Sequence, residues 1–573
     1  MNRSAAIGRA RSGDRSITET VIPRVAGEVF RVSESNEEMQ MRRETADTVA
    51  KLLRAGDTLL IGGSGGGHAV PESLIEAVER RFLAEGRPSG ITSIHPVGIG
   101  DGSSHGVNRF AHHGLLKRIV CGTLVNSPLL SDMAVAGAIE AFTLPQGALS
   151  QLMREMAAGR AGLITQTGLH TFVDPRHGGG RQSRFETEDL VEVVQFAGRE
   201  WLFYKPFHID VCFLRGTTAD EDGNITMEEE AVFGEMISQA QATRRCHGLV
   251  VVQVKRMAKR GTLPPKAVKI PGILVDVVTV DPDQSQTYAT YYDPAYAGEL
   301  RVPLADIPRL PFGPRSVIAR RAAMELFRGA ICNLGSGIST GIASLAAEED
   351  ILDEICLTNE QGLVGGAPAS GNEAGASRNF SAMIDQPYQF DFYDGGGLDL
   401  AFLSFAEVDE RGNVNVSRLG DRIIGPGGFI NIAQNARVVV FSGTFTAGEF
   451  DIGWDAGRIR IAQDGGRVKF VREVGQITYS GSFATAKRQK TLYVTERAVF
   501  RLVEGAVQLI EIAAGVDLER DIFSKMAFRP AVAPDLKTMD GRLFRPEPMG
   551  LKNDLASKPA RAGPPRLAEP HGV

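Results

Sequence analysis

Short apolar runs that end in glycine-rich turns recur along the chain and indicate strands of a parallel sheet. The first such run, at residues 58 to 61, passes directly into a turn with five glycines between positions 62 and 67. A stretch with helical periodicity follows at residues 71 to 82. Strand, glycine-rich turn and helix in this order form the opening of a parallel βα unit. A further helix is predicted at residues 35 to 54, ahead of the first strand.

Two segments in different halves of the chain repeat the same pattern at the same spacing. Each begins with an aspartate before an apolar run (Asp210 and Asp399) and continues into an Asp-Glu-x-Gly-Asn turn, at 220–224 and 409–413. A second apolar run follows in the same register, at 249–252 and 438–441. Each copy is expected to form a strand, a turn in which glycine adopts positive φ, and a second strand. The shared spacing predicts a duplication, and hence an α/β fold of two related open-sheet domains in tandem.

The proline pattern sets the expected domain boundaries. Prolines are dense between residues 301 and 315, which we interpret as a linker between an N-terminal domain at 40–300 and a C-terminal domain at 316–545. Residues 1–39 lack periodicity, and residues 549–573 are rich in proline, alanine and charge. Both segments are therefore expected to be disordered.

Composition narrows the class of protein. The 573 residues carry a formal net charge of -6 with acidic and basic positions interspersed, which argues against a nucleic-acid partner. No apolar run reaches the ~18 residues of a transmembrane helix, and the N-terminus has no apolar signal-peptide core. The five cysteines are scattered and odd in number, as expected of free thiols. These features predict a cytoplasmic protein without a membrane partner.

Glu360 is the strongest candidate for chemistry. It follows an apolar run at residues 351 to 357, interpreted as a buried strand, and precedes a glycine-rich turn at 362 to 366. Ligands of open α/β sheets bind beyond the carboxyl ends of strands. A carboxylate at the end of a strand, beside backbone that a ligand can approach closely, is better explained as a nucleophile than as a salt-bridge partner. A looser alignment of the two halves places Pro96 where the second half has Glu360, so that the first half supplies a wall of the site.

Other site types have weaker support. The glycine runs at 62–67 and 335–340 lack the Gly-Lys-Ser/Thr of a phosphate loop, and are either structural turns or anion-binding backbone. The serine between glycines at 63–65 is not assigned as a hydrolase nucleophile. Several histidines near Asp101 show no metal-site spacing, and no metal is predicted. These histidines are His95, His105, His112 and His113.

Six longer motifs spread over residues 54 to 551 allow a more specific interpretation. They are Leu-Pro-Gln-Gly at 144–147, Thr-Phe-Val-Asp-Pro at 171–175, Thr-Ala-Asp-Glu-Asp-Gly-Asn at 218–224, Phe-Asp-Phe-Tyr-Asp-Gly-Gly-Gly-Leu-Asp at 390–399, Gly-Asn-Val-Asn-Val-Ser at 412–417 and Gly-Pro-Gly-Gly-Phe-Ile-Asn at 425–431. Together they resemble family I coenzyme A transferases of the propionate/acetate type, in which both halves are fused. The resemblance implies that Glu360 is the nucleophile. It also implies that Gly425, Gly427 and Gly428 line the CoA and oxyanion site, where the backbone N–H groups of Gly427 and Gly428 would donate to the oxyanion.

The resemblance implies an acyl-CoA:carboxylate CoA-transferase with the corresponding two-domain α/β fold. Its substrates would be a coenzyme A thioester and acids such as acetate, propionate or somewhat larger ones, exchanged by a ping-pong mechanism through a glutamyl-CoA thioester. No tightly bound cofactor is implied, and a homodimer or homotetramer is expected. An acyl-CoA hydrolase on the same fold is the alternative, and a catalytically silent ligand sensor is a third reading.

The chain departs from the family pattern at three places. Ser64 stands where a phenylalanine usually follows the first strand, and the usual Gly-Gly-His-Trp-Gly segment has lost its His and Trp near residues 121 to 126. Asn359 replaces an apolar residue before the nucleophile. We expect these changes to alter the acyl pocket, and with it the preferred acid.

Overall fold

Two large open sheets, one in each half of the chain, organise the fold. The computed structural model describes residues 41–185, 188–303, 306–455 and 457–562. The predicted disordered segment at 1–39 and the end of the predicted tail, 563–573, lie outside the described residues. Among the described residues, no helix combines the length and the apolar character that crossing a bilayer requires.

The sheet of the first half has eight strands in the described part of the chain, each parallel to its neighbours. The predicted strand Thr58–Ile61 lies near its middle and is buried on both faces, as helices cover both sides of a parallel sheet. In spatial order the strands are Arg42–Arg43, Val277–Val280, Leu249–Val254, Val211–Arg215, Thr58–Ile61, Ile91–His95, Leu116–Cys121 and Glu140–Thr143. The helices of this half are Ala46–Leu52, Glu72–Glu85, Pro128–Val135, Gln146–Ala157 and Met236–Arg245.

The sheet of the second half has ten strands within the described ranges, with a parallel centre and antiparallel additions on both sides. The last pair, Ala506–Ile512 with Ala531–Thr538, is again parallel. In spatial order they are Ala382–Met383, Leu363–Val364, Cys356–Thr358, Ile331–Leu334, Leu400–Ser404, Val438–Ser442, Lys490–Val494, Ala498–Val503, Ala506–Ile512 and Ala531–Thr538. The helices are Pro314–Ala323, Gly341–Glu348, Gln386–Asp394, Phe429–Asn435, Gly481–Ala486 and Leu551–Ser557.

Smaller sheets extend both halves beyond the strand ends. In the first half they comprise Leu163–Thr165, Val191–Phe196, Arg199–Tyr204, Thr218–Asp220, Ile225–Thr226, Arg256–Ala258 and Val268–Ile270. In the second half they comprise Ala367–Pro368, Ser377–Arg378, Glu407–Asp409, Val414–Asn415, Arg418–Leu419, Arg422–Ile423, Thr446–Ala447, Asp451–Asp455, Arg458–Gln463, Arg467–Val468 and Phe470–Val471.

The structure confirms the predicted duplication. The first strand of each repeat pairs in parallel with the second in the same register, Val211 opposite Leu249 and Leu400 opposite Val438. The turn that follows is built identically in both copies. The side chain of the first aspartate of each turn (Asp220 or Asp409) accepts hydrogen bonds from the backbone N–H groups two and four residues further on. The turn glycine has a φ of 81° in the first copy and 77° in the second. Tandem related α/β domains are therefore the architecture of this chain.

The looser alignment of Pro96 with Glu360 is also confirmed by the sheet order. In each half, the strand before this position pairs in parallel with the sheet strand that precedes it in the chain: Ile91–His95 with Thr58–Ile61, and Cys356–Thr358 with Ile331–Leu334. Pro96 and Glu360 consequently occupy the same place at the carboxyl edges of the two sheets.

The prediction of disorder from residue 549 onward is wrong for the part of the tail that the structure describes. Residues 551 to 557 form a helix, and Leu551 and Leu555 are buried against the second-half core. Glu349 anchors the start of this helix, because its carboxylate accepts the backbone N–H groups of Gly550 and Leu551. The prediction used the average composition of the tail, which is polar and rich in proline. It overlooked Leu551 and Leu555, which are spaced by one helical turn and form the apolar face of the helix.

Local boundaries differ from the prediction in two further places. The apolar run at 351–357 forms a strand only at its end, Cys356–Thr358, and is preceded by a 3₁₀ turn at Leu352–Glu354. The helix predicted at 35–54 is confined to Ala46–Leu52 over the described residues, because Thr45 caps its N-terminus. The domain limits at 40–300, 301–315 and 316–545 stay a prediction.

Candidate active site

A cavity of about 650 Å³ is lined by residues of both halves, at the carboxyl edges of the two large sheets. Its volume lies in the range of sites that enclose an organic ligand. Lining residues of the first half include Ser64, Asp101, His105, Thr123, Val125 and Gln146, and those of the second half include Asn359, Glu360, Gly425, Gly427, Gly428 and Phe429. The prediction that one half supplies the carboxylate and the other a wall therefore agrees with the shape of the cavity.

Glu360 enters the cavity from a tight turn. The N–H of Asn359 donates to the carbonyl of Leu363 at 3.1 Å, and the N–H of Gly362 donates to the carbonyl of Asn359 at 3.2 Å. Gly362 has a φ of 101°, and a Cβ at this position would collide with the carbonyl oxygen of Ile384. Only glycine fits this backbone conformation, which reverses the chain directly behind the carboxylate.

The Glu360 carboxylate has few polar partners. Asn333 Nδ2 donates to its Oε2 at 3.4 Å. Among the described lining residues, none is a lysine or an arginine. Burial therefore raises the pKa of Glu360 above its ordinary value, although its own backbone N–H and Asn333 oppose the shift. A poorly solvated carboxylate is better suited to attack a carbonyl carbon than a hydrated one.

A buried polar network positions Asn333. Asn333 was not among the site residues predicted from the sequence. Tyr393 Oη donates to Thr358 Oγ1 at 2.8 Å, and the Asn333 amide donates to the same phenol at 3.3 Å. Thr358 Oγ1 in turn donates to the carbonyl of Cys332 at 2.9 Å. The only signal in the sequence was a polar residue inside the otherwise apolar strand Ile331–Leu334.

Gly425, Gly427 and Gly428 all line the cavity, but they are not equivalent as donors. The N–H of Gly425 donates to the carbonyl of Ser417, and that of Gly427 to the carbonyl of Gly122, both at 2.8 Å. The oxyanion-donor role predicted for Gly427 is thus corrected, because its N–H already binds the other half of the molecule. Its position beside the cavity is as predicted.

Gly428 lies against the candidate nucleophile. A Cβ built on this residue would come within 3.4 Å of both Glu360 Cγ and Phe390 Cζ. Over the described part of the chain, no carbonyl accepts the Gly428 N–H, and the residue precedes the helix Phe429–Asn435. Of the three predicted glycines, Gly428 is therefore the one with an available donor next to the carboxylate.

Two of the three departures from the family pattern lie on the cavity wall of the first half. Ser64 is buried, and its Oγ accepts a hydrogen bond from Gln361 Nε2 at 3.2 Å. Thr123 and Val125 line the cavity in the segment that lacks His and Trp. The amide of Asn359 donates to the carbonyl of Gly375 at 3.0 Å, so the third departure stabilises the turn around the nucleophile.

A second buried carboxyl group lies behind Gln146. Gln146 Nε2 donates to Gln386 Oε1 at 3.1 Å, and Gln386 Nε2 donates to both Ser150 Oγ (2.7 Å) and Glu235 Oε1 (3.1 Å). Burial raises the pKa of Glu235 to about 7, although the hydrogen bond from Ser150 opposes the shift. This chain of side chains joins the cavity to the contact between the two halves.

The remaining sequence candidates do not form a second reactive site. The glycine run at 62–67 packs against the second half, where a Cβ on Gly66 would collide with the carbonyl oxygen of Asn372. Among the described residues, no group of three or more His, Cys, Asp or Glu side chains is arranged to hold a metal ion. Burial raises the pKa of the Cys121 and Cys332 thiols above the ordinary value, which disfavours the reactive thiolate.

Comparison with known proteins identifies the family. A sequence model of the family described as Coenzyme A transferase matches residues 42–281. The caffeate CoA-transferase of Acetobacterium woodii is 45% identical over an alignment of 515 positions, which covers 88% of this chain and 98% of that protein. The chain belongs to the coenzyme A transferase family. It is an enzyme that transfers CoA between acids, and the fused two-half organisation implied by its motifs is confirmed.

Two further relatives of this coenzyme A transferase come from Escherichia coli. Acetate CoA-transferase YdiF of strain K12 is 42% identical over 495 residues, 86% of this chain and 93% of that protein. A crystal structure of the O157:H7 YdiF, described as a thioester complex with CoA, matches with a TM-score of 0.85 and 41% identity, covering 89% of this chain and 98% of that one. The reading as a silent ligand sensor is therefore wrong.

Proposed function

We propose that this coenzyme A transferase works by a ping-pong mechanism in which Glu360 carries CoA as a thioester. The observation that carries the proposal is the Glu360 carboxylate, poorly solvated in the cavity and adjacent to the available N–H of Gly428. The E. coli relative described as a thioester complex with CoA supports the same chemistry.

Each half-reaction of the ping-pong cycle needs two attacks on carbonyl carbons. Glu360 first attacks the acyl-CoA carbonyl, the C–S bond breaks, and an acyl-glutamyl anhydride and a CoA thiolate form. The thiolate then attacks the glutamyl carbonyl, the C–O bond breaks, and the first acid leaves as its carboxylate. A second carboxylate reverses these steps. One thioester is broken and one is made, so the exchange is nearly isoenergetic and needs no ATP.

The donors around Glu360 match the charge that develops. Each tetrahedral intermediate places negative charge on a former carbonyl oxygen, and a preorganised donor for it is worth about 3 kcal/mol. In this proposal the Gly428 N–H stabilises that oxygen, and the Asn333 amide orients the glutamyl group. Gly425 and Gly427 form the adjoining wall along which the CoA arm lies.

The acids exchanged are proposed from the relatives and the cavity. One relative is named for caffeate and another for acetate, so similar sites serve acids of very different size. We propose acetate, propionate and larger monocarboxylates as substrates of this chain, with no tightly bound cofactor. The predicted homodimer or homotetramer and the cytoplasmic location are retained as proposals, and sedimentation of the purified enzyme tests the former.

Trapping the intermediate tests the mechanism. Acyl-CoA added without an acceptor acid should convert Glu360 into a CoA thioester, which borohydride reduces whereas it leaves carboxylates intact. Peptide mass spectrometry should then locate the change on the Glu360 peptide, and Glu360→Gln should show none. Labelling of a cysteine would contradict the mechanism. Release of CoA thiol without any trapped adduct, and without transfer to added acids, would favour the acyl-CoA hydrolase instead.

A further inference from the structure

Asp101 and His105 form a fixed pair on the first-half wall of the cavity. Asp101 Oδ2 lies 2.7 Å from His105 Nδ1, and its Oδ1 accepts the backbone N–H groups of Ser103, Ser104 and His105 at 2.8 to 3.0 Å. Burial opposes ionisation of this carboxyl, but the hydrogen bonds from His105 and Ser103 prevail and hold its pKa well below the ordinary range. The pair is therefore an ionised carboxylate with an imidazole locked against it.

The pair presents one free acceptor atom. An ionised carboxylate only accepts hydrogen bonds, so a hydrogen lies on His105 Nδ1, and in the tautomer that has its single hydrogen there, Nε2 is an acceptor. Over the described residues, no protein group hydrogen-bonds to Nε2. The ring packs against Tyr288 with centroids 5.0 Å apart, and the Tyr288 hydroxyl donates to Glu72 at 2.6 Å. The imidazole is thus held at Nδ1 by Asp101 and on its ring by Tyr288, and 44% of the side chain remains exposed.

A continuous wall joins this pair to the nucleophile. The N–H of Gly100, next to the pair in sequence, donates to the carbonyl of Gly65 at 3.3 Å. The adjacent Ser64 accepts from Gln361, the residue that follows the nucleophile. The pair therefore lies along the same cavity wall as the positions at which this chain departs from the family pattern.

The charge of the cavity restricts what this wall can bind. A second carboxylate on an acyl group would meet the Asp101 carboxylate, and no lysine or arginine among the described lining residues would neutralise it. A neutral hydroxyl group pays no such penalty, and it supplies the hydrogen that the free imidazole nitrogen lacks.

We propose that His105, oriented by Asp101, accepts a hydrogen bond from a hydroxyl group of the acyl chain, so that the enzyme prefers hydroxylated monocarboxylic acids. The inference rests on the proposed function, because it takes the CoA arm to lie along Gly425–Gly428 and the acyl group to lie toward the first-half wall.

Matched acid pairs test this inference on the full-length enzyme. The acceptors are butyrate against 3-hydroxybutyrate and cinnamate against 4-hydroxycinnamate, with acetate establishing CoA transfer. The wild type should prefer the hydroxylated member of at least one pair by about 3- to 10-fold in kcat/KM, the size of one neutral hydrogen bond. His105→Phe keeps the ring on Tyr288 but removes the acceptor, and should bring that ratio to about one. In Asp101→Asn, the amide can donate to Nδ1, so the ring hydrogen is no longer held on that atom and can occupy Nε2. This variant should therefore lower the ratio as well.

His113→Phe is the matched control, because this histidine is exposed and lies outside the cavity. It should leave the ratio unchanged. Absence of any preference in the wild type, or a preference that survives His105→Phe, would overturn the inference while leaving CoA transfer intact. Absence of transfer to every acid, acetate included, would instead overturn the proposed function.

Discussion

At the scale of single residues, the chemistry depends on how few polar groups surround the Glu360 carboxylate. A surface glutamate is hydrated and is a poor nucleophile, whereas Glu360 has, among the described residues, one amide partner, Asn333, besides its own backbone. The raised pKa is the cost of this environment, since the same burial that activates the carboxylate also disfavours its ionisation. Activity is accordingly expected to fall as pH drops through this raised pKa, because the protonated acid does not attack.

Replacing the nucleophile should abolish turnover without unfolding the protein. Glu360→Gln preserves the shape of the side chain but cannot form an anhydride or a thioester, so kcat should fall by at least about 10³-fold. Steady-state CoA transfer between acetyl-CoA and propionate measures the effect. Glu354→Gln, six residues earlier at an ion pair with Arg328 outside the cavity, should retain activity. Near-wild-type transfer by Glu360→Gln would exclude the glutamyl mechanism.

Ser64 is expected to control the size of accepted acids. The residue is buried beside Gln361, so a phenylalanine at this position has to project into the cavity. Ser64→Phe should shift preference toward acetate and propionate by roughly 10-fold in kcat/KM relative to a longer or branched acid, since one methylene is worth about 1–3 kcal/mol. The wild type should prefer such a larger acyl group to acetyl. Ser64→Ala removes the hydroxyl without adding bulk and serves as the control. An unchanged profile in Ser64→Phe would show that this position does not face the acyl group.

At the scale of elements, the glycine segment after residue 424 divides its tasks between neighbouring residues. The N–H of Gly427 ties the segment to Gly122 in the first half, whereas Gly428 faces the nucleophile with its N–H available. Their backbones differ as well, with a φ of +51° at Gly427 and -80° at Gly428. Glycine is required at position 427 by the positive φ, and at position 428 by the close approach of Glu360 and its ligand.

Alanine at these two glycines should separate stability from catalysis. Gly428→Ala is compatible with its backbone, but the new Cβ touches Glu360 Cγ, and a small displacement of a reacting group can cost about 10²-fold in rate. Gly427→Ala has room for its Cβ but is strained at positive φ, and should cost about 1 kcal/mol in stability. Thermal midpoints and kcat, measured for both variants, test the division. Equal kinetic losses without a difference in midpoint would contradict it.

At the scale of the whole molecule, the two halves meet through polar side chains as well as through the cavity. Gln146 of the first half and Gln386 of the second are joined by a hydrogen bond, and Glu235 lies behind them with a pKa of about 7. A carboxyl whose folded-state pKa exceeds its unfolded value binds its proton more tightly in the folded state. Its ionisation therefore reduces stability as pH rises from about 4.5 to 7.

Glu235→Gln should remove this pH dependence. The amide keeps the oxygen that accepts from Ser150 and Gln386 but cannot ionise, so the variant should gain stability relative to the wild type above pH 7, by about 3 kcal/mol at most. Thermal unfolding midpoints between pH 5 and 8 measure the trend. Glu229→Gln, which breaks an ion pair with Lys255, should lower the midpoint at every pH in this range. Parallel curves for the wild type and Glu235→Gln would show that Glu235 does not titrate here.

Features encoded in short stretches of chain were determined by the sequence alone. The Asp-x-x-Gly-Asn turns recur with the same spacing, and this spacing predicted the duplication and the register that the sheets adopt. A carboxylate between an apolar strand and a glycine turn identified Glu360 as the candidate, since strand ends and glycine turns are local features. The boundaries that failed, such as the helix at Leu551–Ser557, depend on burial against distant residues.

Only the tertiary structure decided which groups meet around Glu360. The N–H of Gly427 is occupied by Gly122, and Asn333 reaches the nucleophile from a neighbouring strand. Asp101 and His105 belong to the cavity because the glycine run of the first half packs along Gln361. Each of these contacts joins residues far apart in the chain. No local pattern encodes them, because their geometry is set by the packing of one half against the other and, for Asn333, by the pairing of neighbouring strands.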